Sequence, residues 1–239
     1  MPTYAPARSD TDRLTTLEMI LTTSGLDNDD ARLLPVALRT EVQDFLTDYR
    51  PVVAALDQAA AGRAREVSEK DAAQERLAVH VRDFFEVLKR RTNRMGHGVA
   101  ALVHYGLPQA GDLPALGGGQ DVGTAADGIV AGEATAVAAD LPPMANPSAT
   151  EVAAALAAYR KESGEVVPAD LAVRRAQSAA AELRVRADEI LADVKDELSH
   201  VLRKLTGPGQ RRVLRLFGFK FTPNPGETPE PEPVPVAVV

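Results

Sequence analysis

In the stretch "LRTEVQDFLTDYRPVVAAL" (Leu38–Leu56), Leu38, Val42, Phe45, Tyr49, Val52 and Leu56 recur at steps of four, three, four, three and four residues. That is the rhythm of a helix packing along one apolar edge, as in a coiled-coil seam. Pro51 falls inside the pattern and has no N–H to give, so a bend or a local gap in the hydrogen-bond ladder is expected there. The fold class follows from this stretch: all-α, with helices that need a partner for one edge.

Working outward, the rhythm fades through "AAAGRAREVSEKDAAQERL" and resumes at Leu77, Val81, Phe84 and Leu88. A hairpin reversal near Gly62 is expected, with one long helix across it as the alternative. Upstream, Ser9–Ser24 reads as a short helix capped by Ser9 or Asp10 and ended by Gly25. Downstream, residues 107–150 hold no lysine or arginine and are rich in Gly, Ala and Pro, which predicts a linker or loose insertion. "GIVAGEATAVAA" within it suits a small hairpin. Helical pattern returns with Val152, Leu156 and Tyr159 and breaks at "SGEVVPAD". A second long helix then starts with Pro168 in its first turn. Its seam is Leu183, Ala187, Ile190, Val194, Leu198, Val201 and Leu205. The segment from Thr222, "TPNPGETPEPEPVPVAVV", should be extended or polyproline-like.

The two long helices end alike. Ala73–Thr92 set on Ala187–Thr206 gives seven identities in twenty positions. After a two-residue shift, "ALVHYGLP" lies on "VLRLFGFK", placing Tyr105 on Phe217, Gly106 on Gly218 and Leu107 on Phe219. A shared ending is harder to obtain from alanine-rich composition than a shared helix, so an internal duplication is the preferred reading. The expected architecture is a four-helix bundle of two sequence-related helical hairpins, with a short N-terminal helix and an extended C-terminal tail. Its parts are 1–29 (helix and turn), 30–108 (first hairpin), 109–148 (linker or insertion), 149–221 (second hairpin) and 222–239 (Pro-rich acidic tail). Tyr105, Leu107, Phe217 and Phe219 are the candidate packing closures.

Composition narrows the chemistry. The absence of cysteine excludes disulfides, thiolate zinc sites and cysteine nucleophiles. A formal charge of −7 disfavours nucleic acid or anionic lipid as a partner of the whole surface. No run of eighteen apolar residues occurs and no signal-like segment opens the chain, so no membrane span and a cytoplasmic location are expected. Glu197-x-x-His200 is half of a di-iron ligand pattern, but Glu86 stands where the second histidine would be needed. "GGGQDVG" (Gly117–Gly123) lacks the lysine of a phosphate loop, and no strand before it or helix start after it is expected. No catalytic residue, metal ligand or cofactor is assigned.

Two basic clusters stand out. Arg203–Lys220 carries six cations and no acid, and Lys89–Arg94 carries four. In the duplicated bundle they should share one pole. Lys89, Arg90, Arg203, Lys204, Arg211, Arg212 and Arg215 are the candidate partner-binding residues, against the simpler role of complementing helix C-termini. The acids of the tail suit folding back over this pole. The expected function is a non-catalytic structural or adaptor helical-bundle protein, acting through a protein partner or self-assembly. Alternatives are a nucleic-acid-associated protein using the basic pole, and a metal- or ligand-binding helical-bundle enzyme.

Overall fold

A computed structural model of the chain describes residues 3–25, 33–96, 100–107 and 116–222. The Pro-rich segment from residue 223 and His97 lie outside them. Among the described residues six α-helices and two short strands succeed one another: β1 (Thr3–Ala5), α1 (Asp10–Ser24), α2 (Val36–Met95), α3 (Ala100–Val103), α4 (Gly119–Ala138), α5 (Ala149–Val201), α6 (Gly207–Leu216) and β2 (Lys220–Thr222). The described chain is therefore predominantly helical, as the seam patterns require. None of the described helices is long and apolar enough to cross a membrane.

Three local expectations change. The reversal near Gly62 does not occur and the alternative of one long helix holds: α2 runs unbroken for 60 residues. The few large apolar residues there weaken the seam, yet alanine, glutamate, arginine and lysine are good helix formers and carry the backbone across. Nor does the chain break at "SGEVVPAD": α5 runs for 53 residues with Pro168 in its interior rather than its first turn. A long helix can absorb the lost hydrogen bond that would end a short one. The 109–148 segment contains a full helix, α4, and "GIVAGEATAVAA" is part of it rather than a hairpin. Val122, Ala126, Ile129, Gly132 and Ala136 form its buried stripe, whose helical spacing is diluted in the sequence by glycine and alanine.

The chain divides into two compact units, Met1–Ala59 with Val173–Val239, and Ala60–Ala172. In the first, the core joins Leu17 and Ile20 of α1, Val42, Leu46, Tyr49 and Val53 of α2, and Ala187, Ile190, Val194 and Leu198 of α5. Leu214, Phe217 and Phe219 close it. Leu46 and Val53 thus take the buried places assigned to Phe45 and Val52, while the four-three-four rhythm is kept. Towards the end of α5 the chain tightens into a 3-10 turn at Leu202–Lys204. Leu202, one turn beyond Leu198, continues the buried stripe, while Val201 and Leu205 are exposed. β1 pairs antiparallel with β2, Tyr4 opposite Phe221, a strand pair too short to be signalled by alternation.

The second unit is built on Leu77, Val81, Phe84, Phe85 and Leu88 of α2, the stripe of α4, and Val152 and Leu156 of α5. Leu102, Tyr105 and Leu107 complete its core.

Candidate functional site

The two aromatic–glycine–apolar endings have the same backbone geometry. Tyr105 N and Leu107 N both donate to Leu102 O, and Gly106 N donates to Val103 O. In the other unit Phe217 N and Phe219 N donate to Leu214 O, and Gly218 N to Arg215 O. Both are helix ends of the Schellman type, which need a residue in the left-handed region after the last turn. Gly106 (φ 73°) and Gly218 (φ 87°) supply it. Each turn has a helix laid against it. A Cβ on Gly218 would come within 3.2 Å of Thr16 Cα in α1, and one on Gly132 of α4 within 2.8 Å of Tyr105 Cα. Tyr105, Leu107, Phe217 and Phe219 are all buried.

Each unit also seats a tyrosine hydroxyl on a carboxylate. Tyr49 donates to Asp10 Oδ1 at 3.1 Å, and Arg184 grips both Asp10 oxygens at 2.7 and 2.6 Å. The Arg184 hydrogen bonds hold the Asp10 carboxyl below its ordinary range. Burial, then the Asp10 charge, pushes the Tyr49 phenol up. Arg13 completes the group with two bonds to Asp188, at 2.8 and 2.9 Å. In the second unit Tyr105 donates to Glu133 Oε2 at 2.6 Å while Glu133 Oε1 accepts from Met144 N at 2.6 Å. Burial and that acceptor raise the Tyr105 phenol likewise. These bonds satisfy buried polar groups and orient helices.

The basic residues separate into two sets. Lys89 and Arg90 belong to the Ala60–Ala172 unit, while Arg203, Lys204, Arg211, Arg212 and Arg215 belong to the other. No one unit carries both clusters, because the long helices are continuous instead of folding back into hairpins. Arg90 pairs with Glu86 at 3.2 Å. Arg203 meets the His200 ring at 3.0 Å, and Arg215 lies over the Phe221 ring at 5.8 Å. Arg203, Lys204 and Arg212 are exposed, and Arg211 and Arg215 half-buried.

Among the described residues, one set of carboxylates converges: Glu66, Glu69, Glu162 and Glu165, with oxygens within 4.8 Å of one another. The spacing Glu-x-x-Glu on α2 faces the same spacing on α5, so each helix offers two acids from one face. Arg65 Nη2 reaches Glu66 at 2.7 Å, and Lys161 reaches Glu162 at 3.1 Å and Glu165 at 3.3 Å. Four hard oxygen donors are the kind a calcium, magnesium or manganese ion takes, and these are the described side chains placed to hold one. Sequence inspection passed them over because the two pairs are nearly a hundred residues apart. Glu197 and His200 belong to no such converging set among the described residues.

"GGGQDVG" does open a helix, contrary to expectation, with Gly118 extended at the N-cap of α4. Of its glycines, Gly119 serves packing: a Cβ there would run into the hydroxyl of Tyr159.

Compared with protein-family models, curated protein sequences and solved structures, the chain matches none of them.

Proposed function

We propose that this chain is a non-catalytic structural or adaptor protein that works by helix-to-helix association, foremost with a second copy of itself. One observation carries the reading. In the Ala60–Ala172 unit, Gly164, Val167, Pro168, Leu171 and Ala172 of α5 are all exposed. They fall at steps of three, one, three and one, a single uncharged helix face. Val167 is 62% and Leu171 46% exposed, so the chain leaves uncovered a stripe of the kind helices bury against one another. Pairing such stripes from two copies gives both the cover they lack.

The reading includes an origin by duplication, with a unit other than the hairpin. Short helix, long helix and short helix recur as α1–α2–α3 and α4–α5–α6. The matching hydrogen bonds of the two endings, and the helix lying on each, support that origin. A doubled helical module with unsatisfied edges suits assembly more than turnover of a small molecule.

Sedimentation and native mass measurement of the full chain test the proposal. The expected result is a discrete oligomer that V167E/L171E converts to monomer with unchanged helical circular dichroism. A wild-type chain that stays monomeric at tens of micromolar and above overturns self-association. An oligomer indifferent to the double substitution overturns this face as its seat.

A further inference from the structure

We infer that the last turn of α5 and the outer side of α6 form a docking surface for an acidic membrane leaflet, which they bind from one side without crossing it. The sign of the exposed charge, and the aliphatic side chains set among the cations, carry this reading independently of the α5 stripe.

From Leu198 to Thr222 the sequence holds six cations and no acid. Arg211 and Arg215 are half-buried and already engaged, and Lys220 is held by Asp12 at 2.7 Å. The charge left for a partner is that of Arg203, Lys204 and Arg212, all exposed. Aliphatic side chains are exposed in the same run: Val201 is 42%, Leu205 46% and Leu216 40% exposed. Val201, Lys204 and Leu205 step by three and one, the spacing of one helix face. Pro208, Arg212 and Leu216 step by fours along the exposed side of α6. Gln210 ties the two strips together, its side-chain amide donating to Leu202 O at 3.1 Å and to Leu205 O at 3.3 Å. Leu202 and Leu214, on the inner sides of the same two segments, are buried in one core.

Cations among aliphatic groups suit a lipid interface more than a nucleic acid. Guanidinium and ammonium groups reach headgroup phosphates while the neighbouring aliphatic groups lie at the acyl boundary. The rings that would stack on bases, Phe217 and Phe219, are buried instead. The formal charge of −7 does not prevent docking. Fields of exposed charges are largely screened beyond about 8 Å at physiological salt, so a leaflet responds to the face turned towards it. Each cation at an acidic leaflet is worth roughly a fivefold gain in partitioning, and three give about a hundredfold. That suits reversible attachment.

Flotation of the full chain with phosphatidylcholine vesicles containing about one-third phosphatidylserine, at about 0.1 M salt, tests the proposal. The chain should float with these vesicles and at least roughly tenfold more weakly with phosphatidylcholine alone. R203Q/K204Q/R212Q should lower binding to the acidic vesicles at least roughly tenfold, with unchanged helical circular dichroism. Raising the salt to about 1 M should release the wild-type chain. L205Q/L216Q should weaken vesicle binding severalfold while leaving any hold on a short DNA duplex unchanged. The salt dependence and L205Q/L216Q stand as the test if the triple variant does not fold. Three results overturn the proposal: no flotation with acidic vesicles, flotation indifferent to the cations and to salt, or binding to the duplex that matches the vesicles and ignores Leu205 and Leu216, which would mean a nucleic-acid surface.

Discussion

Glycine at three positions tests how each closing turn is made. At Gly106 the left-handed φ is the main obstacle to a side chain, since no atom lies within 4 Å of the added Cβ. Gly106→Ala should therefore cost about 1 kcal/mol. Gly218→Ala meets the same strain and α1 at 3.2 Å, so about 2 kcal/mol is expected. Gly132 is helical, but its Cβ would press on His104 O at 2.5 Å, backbone that cannot swing aside. Gly132→Ala should cost about 3 kcal/mol, the largest of the three, read by denaturant unfolding. Asp10 gives a pH test. Its folded pKa lies below the ordinary value, so its contribution is complete above about pH 4 and is lost as the pH falls through the depressed value. Asp10→Asn should lower neutral-pH stability by about 2 kcal/mol and flatten the acid limb of the stability curve. Glu18→Gln, at the exposed pair with Arg50, should move stability by less than about 0.5 kcal/mol. The glycine turns were legible, because a left-handed turn demands a residue type. The partners of Asp10 were not: Arg184 comes from far along the chain, and nothing local marks such a pair.

For the helices, the two internal prolines make the sharpest case. Pro51 and Pro168 are exposed and lie within continuous α-helix. Each removes one ladder hydrogen bond and crowds the preceding turn, and neither fills core space. Pro51→Ala and Pro168→Ala should each raise stability by about 1–3 kcal/mol, with increased amide protection one turn away by hydrogen exchange. Loss of stability in either variant would mean that a bend there serves packing. Where large apolar residues recur, as from Leu77 to Leu88, sequence periodicity predicted the buried side chains directly. It misjudged the stretches around Gly62 and Pro168, because composition punctuates local preference while a long helix is held by what its flanking turns bury. α4 was missed for the converse reason. Its buried stripe uses alanine and glycine, which read as linker until a close neighbour is known.

At the scale of the molecule, the two cores share no side chain among the described residues, although α2 and α5 each pass through both units. Truncating Ile190, fully buried in the first core, should cost about 2–5 kcal/mol. Hydrogen exchange should show α1 and α6 losing protection in Ile190→Ala while α4 keeps most of its own. Equal loss in α4 would show one cooperative unit instead of two. The division of the chain has a further consequence for synthesis on the ribosome. Ala60–Ala172 is contiguous and can close as soon as it emerges. The other unit is split around it, so Leu17, Ile20, Val42 and Tyr49 must wait for α5 and α6 before they are covered. During that interval a nascent chain carries a ready-made apolar helix pair in need of shelter. Slowing synthesis between α2 and α5 should then lower the yield of folded protein, as read by the soluble fraction.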